Sequence, residues 1–244
     1  MNKLFLLVFG LATVGELLAM TSPQWAALNY ACKPLLLLSL GLYYYRAAPR
    51  PAPLVLAALA LSWLGDGLLL FQERQPLFFM GGLVSFLLAH ASYIGAYRQH
   101  QWPGPGRPLG WRLGVGLPVV VAGVALLATL APGLGSLRLP VLVYALVLVL
   151  MVLAAVYRAG RTTPASFAWV GAGAGLFMVS DSLLALNKFL EPLPDAGFWI
   201  MLTYCAAQFG IVRGLLAHER AAAPGFGVDD IPPSFARSKT LAAK

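Results

Sequence analysis

Two aspartates stand where charge is expensive. Asp66 lies in "WLGDGLL" and Asp181 in "LFMVSDSLLAL", both inside runs that otherwise read as lipid-soluble helix. An ionised carboxylate at membrane depth costs several kcal/mol unless something offsets it. Small residues flank each one, Gly65 and Gly67 around Asp66, Ser180 and Ser182 around Asp181, so a neighbouring helix or a ligand can come close. Two carboxyls in unlike surroundings can divide acid and base work. One in an apolar pocket favours its protonated form, and one beside an ammonium favours its charged form. Lys33, in an apolar run of its own, offers such an ammonium to either aspartate.

The other polar groups at membrane depth are few: Glu16, Asn29, His90, Asn187, Tyr204 and Gln208. Asn29 and Lys33 are spaced i and i+4 and share a helix face, as do Tyr204 and Gln208, while His90, Tyr93 and Tyr97 form a stripe. At 1.5 Å per residue, Asp66 lies about 9 Å, and Asp181 and Lys33 about 13 Å, from the same end of their helices. Glu16 is shallower on that side. One polar layer drawn from four helices is what a shared cavity looks like in sequence. The alternative for His90 and Glu16 is a structural contact between helices. Catalytic zinc takes three protein ligands, and only His90 lies within the membrane, since His100 and His218 fall at helix ends. No HExxH, Gly-x-Ser-x-Gly or phosphate-loop pattern is present. A zinc hydrolase is therefore mostly set aside.

The elements that must position this layer are read from composition. The chain is 59% hydrophobic and 11% charged, against roughly 25% charged for a soluble domain. Eight apolar runs of near-spanning length cover 3–20, 25–45, 52–71, 77–97, 110–131, 139–157, 165–188 and 197–217, separated by Pro and Gly joints. The uncharged stretches 113–137 and 139–157 read as lipid-facing scaffold. Cys32 and Cys205 read as small buried hydrophobes. The net charge of +8 does not call for nucleic acid, because basic residues such as Arg46, Arg98, Arg107, Arg112 and Arg158 fall in short loops on one side. The positive-inside rule then puts both termini in the cytoplasm, as an even number of crossings requires. Glu16 and the lack of a small-x-small cleavage site argue against a signal peptide at the start.

The expected fold is an all-α polytopic membrane helix bundle with eight transmembrane helices. Residues 1–220 form the transmembrane catalytic unit and 221–244 a flexible cytoplasmic tail. An offset of 115 residues places "LGDGLLL" over "VSDSLLA" and "AHASYIGAYR" over "YCAAQFGIVR", pairing Asp66 with Asp181. That suggests two parallel four-helix repeats.

The ordered set "CKPLLLL", "WLGDGLL", "FLLAHASYIGAY", "LFMVSDSLLALNKF" and "YCAAQFGIVRG" resembles the YhhN family, whose characterised members are lysoplasmalogenases. The resemblance runs from the second helix to the eighth. It carries the family pattern onto Lys33 and Pro34, Gly65 and Asp66, His90 and Tyr93, Ser180 and Asp181, and Tyr204 and Gln208. It implies hydrolysis of the vinyl ether of a lysoplasmalogen to a fatty aldehyde and a glycerophospho head group, in the cytoplasmic (inner) membrane of a bacterium. The implied partners are an alkenyl lysophospholipid and membrane lipids. Asp66 and Asp181 are then the catalytic pair, with Lys33, Asn29, His90, Tyr93, Ser180, Tyr204 and Gln208 binding substrate or tuning the carboxyls. Which aspartate is the acid stays open. The rival is a proton-coupled lipid or small-molecule transporter using the same aspartates, although acids confined to one side leave no obvious relay to the other.

Overall fold

A computed structural model describes residues 2–223. Eight α-helices follow one another: α1 Asn2–Ala19, α2 Ala27–Ala47, α3 Pro53–Leu69, α4 Pro76–Gln99, α5 Leu109–Leu130, α6 Arg138–Val156, α7 Pro164–Phe189 and α8 Ala196–Ala222. No strand occurs among the described residues. The architecture is all-α, with every expected run present as a helix. Helix α8 extends through Ala221 and Ala222, and the rest of the expected tail lies outside the described residues.

Local chemistry explains the boundaries. Proline occupies the start of α3, α4 and α7, where its missing N–H would have no helical partner and its fixed φ suits the first turn. The Thr163 hydroxyl accepts the Ser166 N–H at 3.1 Å and caps α7. Five segments are long and apolar enough to cross a bilayer: Pro76–Gln99, Leu109–Gly133, Gly135–Val156, Pro164–Phe189 and Ala196–Ala222. Helix α3 is apolar but has only 17 residues.

Helices α3 and α4 pack along one another, as do α7 and α8, and α6 lies against α4, α5 and α7. Glycine sets the closest approach. A Cβ on Gly173 would lie 2.8 Å from the Ala207 carbonyl oxygen, so α7 and α8 touch backbone to backbone. Elsewhere Trp63 Nε1 donates to the Pro34 carbonyl at 2.9 Å and ties α3 to α2. Leu113, Leu117, Val121 and Val124 form an exposed apolar stripe along α5. A bilayer accepts that face, as the sequence reading of 113–137 expects.

The same reading holds for only one face of α6. Leu148, Met151, Val152 and Ala155 are buried against neighbouring helices, while Leu139, Leu142, Leu146 and Leu150 on the other face are exposed. Beyond Arg138 the helix carries no charge because its neighbours are apolar helices as well as lipid, and composition cannot tell those two solvents apart. Arg158 departs from expectation in the opposite sense. Read as an orienting loop charge, it is fully buried beyond the end of α6.

Candidate active site

The described polar groups form two buried carboxyl stations joined by aromatic rings. At the first, Tyr144 on α6 donates to Asp181 Oδ2 on α7 at 2.6 Å. His90 Nε2, from α4, stands 3.6 Å from the same oxygen. Both nitrogens of the His90 ring are buried without a hydrogen-bond partner. At the second, Tyr204 on α8 donates to Asp66 Oδ2 on α3 at 2.7 Å. One turn along α8, Gln208 Oε1 accepts the Tyr93 hydroxyl at 2.5 Å. Between the stations stands Phe177, whose ring centroid is 4.8 Å from that of His90 and 5.5 Å from that of Tyr204.

The Asp181 station opens onto space. Asp181 and Tyr144 line an apolar cavity of about 60 Å³ whose other walls include Phe79 and Phe86 of α4, Leu130 of α5 and Leu148 of α6. That is several times the 10–15 Å³ that a single water needs. Lys188, two turns along α7 from Asp181, lines the same cavity. A second apolar groove, about 280 Å³, runs between α4 and α6 and shares Leu83 and Tyr144 with the cavity. It is lined by exposed residues such as Val84 and Leu139, so it faces the surrounding lipid. Asp66, 4% exposed, lines neither space.

The remaining site residues of the sequence reading are distributed unevenly. Lys33 Nζ lies 3.8 Å from Glu16 Oε1. Its direct ionic partner is thus Glu16 rather than an aspartate, although Lys33 remains within electrostatic range of Asp66. Glu16 is fully buried, and neither of its carboxyl oxygens has a hydrogen-bond partner. The Asn29 side-chain oxygen is likewise buried and unmatched. The Ser180 hydroxyl donates to the Ile200 carbonyl at 3.0 Å and ties α7 to α8 instead of facing the cavity. The structure thus brings His90 to Asp181, Tyr204 to Asp66, and Tyr93 to Gln208, and leaves Ser180 apart. Among the described residues, no three His, Cys, Asp or Glu side chains converge as a metal site would need.

Sequence reading missed two members. Tyr144 is a lone hydroxyl deep in a run otherwise free of polar groups, and that isolation was its only signal. Lys188 carried a better one, its i+7 spacing from Asp181 on a single helix face.

A different polar cluster occupies the far end of the bundle. Arg158 donates from Nε and Nη2 to the His100 carbonyl, at 3.1 and 2.8 Å, and from Nη2 to Ser166 at 2.8 Å and Thr162 at 3.3 Å. Thr162 meets His218 at 2.8 Å, and His100 meets Glu219 at 2.7 Å. The Tyr44 hydroxyl donates to Glu219 and accepts the Ala52 N–H. Burial pulls the Arg158 pKa down to about 10, which leaves it charged at neutral pH.

The YhhN family pattern matches residues 28–215, from the start of α2 to the second half of α8. Every carboxyl, hydroxyl and imidazole of the two aspartate stations falls inside that stretch. The chain belongs to the YhhN family. Its relatives include lysoplasmalogenase TMEM86A of Bos taurus, 34% identical over 77% of this chain and 77% of the bovine one. Lysoplasmalogenase TMEM86B of Homo sapiens is 32% identical over 79% and 76%. A lysoplasmalogenase of Mycobacterium bovis is 33% identical over 68% of this chain and 63% of its own length. No solved structure matches the chain.

Proposed function

We propose that this protein is an integral-membrane lysoplasmalogenase, hydrolysing the vinyl ether of an alkenyl lysophospholipid to a fatty aldehyde and a glycerophospho head group. One observation carries the reading beyond family membership. A carboxyl, Asp181, held by Tyr144, closes an apolar cavity that meets a lipid-facing groove. A vinyl ether is cleaved by putting a proton on its β-carbon, and that carbon arrives at the apolar end of the substrate.

In this mechanism the alkenyl chain enters between α4 and α6. Asp181 gives its proton to the β-carbon, and the electron pair of the double bond forms the new C–H bond. The adjacent carbon becomes an oxocarbenium ion stabilised by the ether oxygen. The Asp181 carboxylate offsets that positive charge, and the ring of Tyr144, which lines the cavity, adds to the stabilisation. Water, oriented by the unmatched His90 ring, attacks the cation and returns a proton to Asp181. The hemiacetal then collapses to the aldehyde and the glycerol hydroxyl. Asp66 is the second carboxyl of the pair and acts from behind Tyr204 and Phe177. The assignment of Asp181 as the acid follows from its being the one that lines the cavity. No cofactor is needed, and the partners are the lysophospholipid and membrane lipids.

We place all eight helices across the bilayer, the three beyond the long apolar set included. Leu4, Leu7, Leu11, Val14 and Leu18 form an exposed stripe along α1, and Leu35, Leu38 and Leu42 another along α2. Faces of that kind belong in lipid. With eight crossings, the basic loops put both termini in the cytoplasm of a bacterial cell, with the protein in its inner membrane.

A proton-coupled transporter is the second reading. It gains from a file of buried polar side chains, Tyr204, Gln208, Tyr93, Tyr97 and Arg158, that leads from Asp66 to the far end. The file is interrupted at Tyr97, whose hydroxyl has no hydrogen-bond partner. The deciding experiment offers detergent-purified protein a lysoplasmalogen, with an acyl lysophospholipid and a saturated ether lysophospholipid as controls. Aldehyde release from the vinyl ether alone is the expected result. Its absence in micelles, where a transporter has no gradient to use, overturns the hydrolase reading.

A further inference from the structure

We infer that Lys188 forms a phosphate subsite at the mouth of the Asp181 cavity and sets which bond of the lipid reaches Asp181. The inference deepens the hydrolase reading and rests on it for its meaning, though not for its test. Lys188 and Asp181 both line the cavity. They are seven residues apart on α7, two turns or about 10 Å along one helix face. In an extended lysoplasmalogen, the glycerol carbons and the ether oxygen between phosphate and double bond span much the same length. A phosphate on Lys188 therefore brings the vinyl ether to Asp181, with the alkenyl chain continuing into the groove between α4 and α6. A bond much nearer to the phosphate, or much farther, would miss the carboxyl.

The present partners of Lys188 are ones a phosphate can replace. Its Nζ stands 3.3 Å from Glu73 Oε1 and 5.4 Å above the centre of the Phe79 ring, itself a cavity wall. The Glu73 side chain is 84% exposed, and ion pairs so open to solvent are worth about 0–1 kcal/mol. A lipid phosphate offers a charge-assisted contact at the place where the lysine stem already lies along apolar surface and the ammonium reaches outward. A lysine in the last turn of a helix also meets the negative end of the helix dipole, which by itself would explain a cation there. It would not explain the lysine's place in the wall of the one cavity that Asp181 lines.

The test separates phosphate from chain. Binding to purified protein is measured for a saturated ether lysophospholipid and for the matching alkylglycerol without phosphate, neither of which has a vinyl ether to cleave. The wild type should prefer the phosphate-bearing ligand. Lys188→Gln should weaken its binding by about tenfold, the scale of one lost hydrogen bond to a charged group, and leave the alkylglycerol unchanged. Lys188→Arg should restore most of the difference. Equal loss for both ligands, or loss for neither, overturns the subsite. Turnover of a lysoplasmalogen by the same preparations reports separately on hydrolysis. A wild type that binds with this preference yet releases no aldehyde would sink the hydrolase reading and leave the phosphate subsite standing.

Discussion

The two ends of the bundle bury polar groups in opposite ways. At the far end, Arg158 makes four hydrogen bonds, and His100, His218, Thr162, Ser166 and Glu219 hold one another in a closed network. At the acid end, each aspartate has one tyrosine, the His90 ring has no hydrogen-bond partner, and Glu16 faces Lys33 alone. Burying a polar group without a partner costs free energy, so a chain that needed only to hold its helices together would match these groups, as it nearly does around Arg158. Even there Arg158 Nη1, Glu219 Oε2 and the Tyr97 hydroxyl are left over. Unmatched valences left at the same end of the bundle as the Asp181 cavity are what a site keeps for a substrate and a water. The contrast separates groups kept for stability from groups kept for chemistry.

That contrast makes opposite predictions for turnover and for stability. The largest effect should come from the aspartates. Asp181→Asn and Asp66→Asn keep shape and most hydrogen bonding but can neither give a proton nor carry charge. Each should lose at least roughly 10²-fold in aldehyde release. The double variant should be little worse than either single, because groups acting as one unit are not additive. Both should elute and unfold like wild type, and near-wild-type turnover in either would remove that aspartate from the mechanism.

Arg158→Met should behave in the reverse manner. It leaves the His100 carbonyl, Ser166 and Thr162 without their donor, at a cost of about 1–3 kcal/mol for each group left unsatisfied. Its thermal unfolding midpoint in detergent should fall clearly, while aldehyde release per folded molecule stays near wild type. A stable but inactive Arg158→Met would break the division between the two ends.

The smallest change tests the tyrosines. Tyr144→Phe and Tyr204→Phe each remove one hydrogen bond to a carboxyl and should cost about tenfold in turnover. The two should differ in how they do so. Tyr144 lines both cavity and groove, so its variant should also change KM as the shape of the chain's path changes. Tyr204 lines neither, and its variant should act on kcat alone. Identical kinetic signatures would mean that the two stations are not distinguished by access.

Much of the fold was legible because helix length and proline placement are local properties of the sequence. All eight helices formed where apolar runs lie between Pro and Gly joints. The polar layer was legible for the same reason: Asp66 and Asp181 stand out against leucine. What sequence could not supply was partnership. The sequence offered Lys33 to either aspartate, and packing puts Glu16 closest instead. Tyr144 looked inert because a lone tyrosine in an apolar helix suits a lipid face as well as a site. Arg158 looked like a surface charge because it follows a helix end, and its burial depends on the 100–102 segment folding over it. Ser180 flanks Asp181 in the chain but turns to α8, since neighbouring residues on a helix point about 100° apart.

The central claim is that the cavity at Asp181 delivers a proton to carbon. Its most direct test runs the wild-type reaction in water labelled with oxygen-18 and reads the glycerophospho product by mass spectrometry. Protonation of carbon followed by water capture of the oxocarbenium ion breaks the bond between the alkenyl carbon and the ether oxygen, so that product should carry no label. Label in its new glycerol hydroxyl would mean that water attacked the glycerol carbon and released an enol, and would contradict carbon protonation and, with it, the role assigned to Asp181.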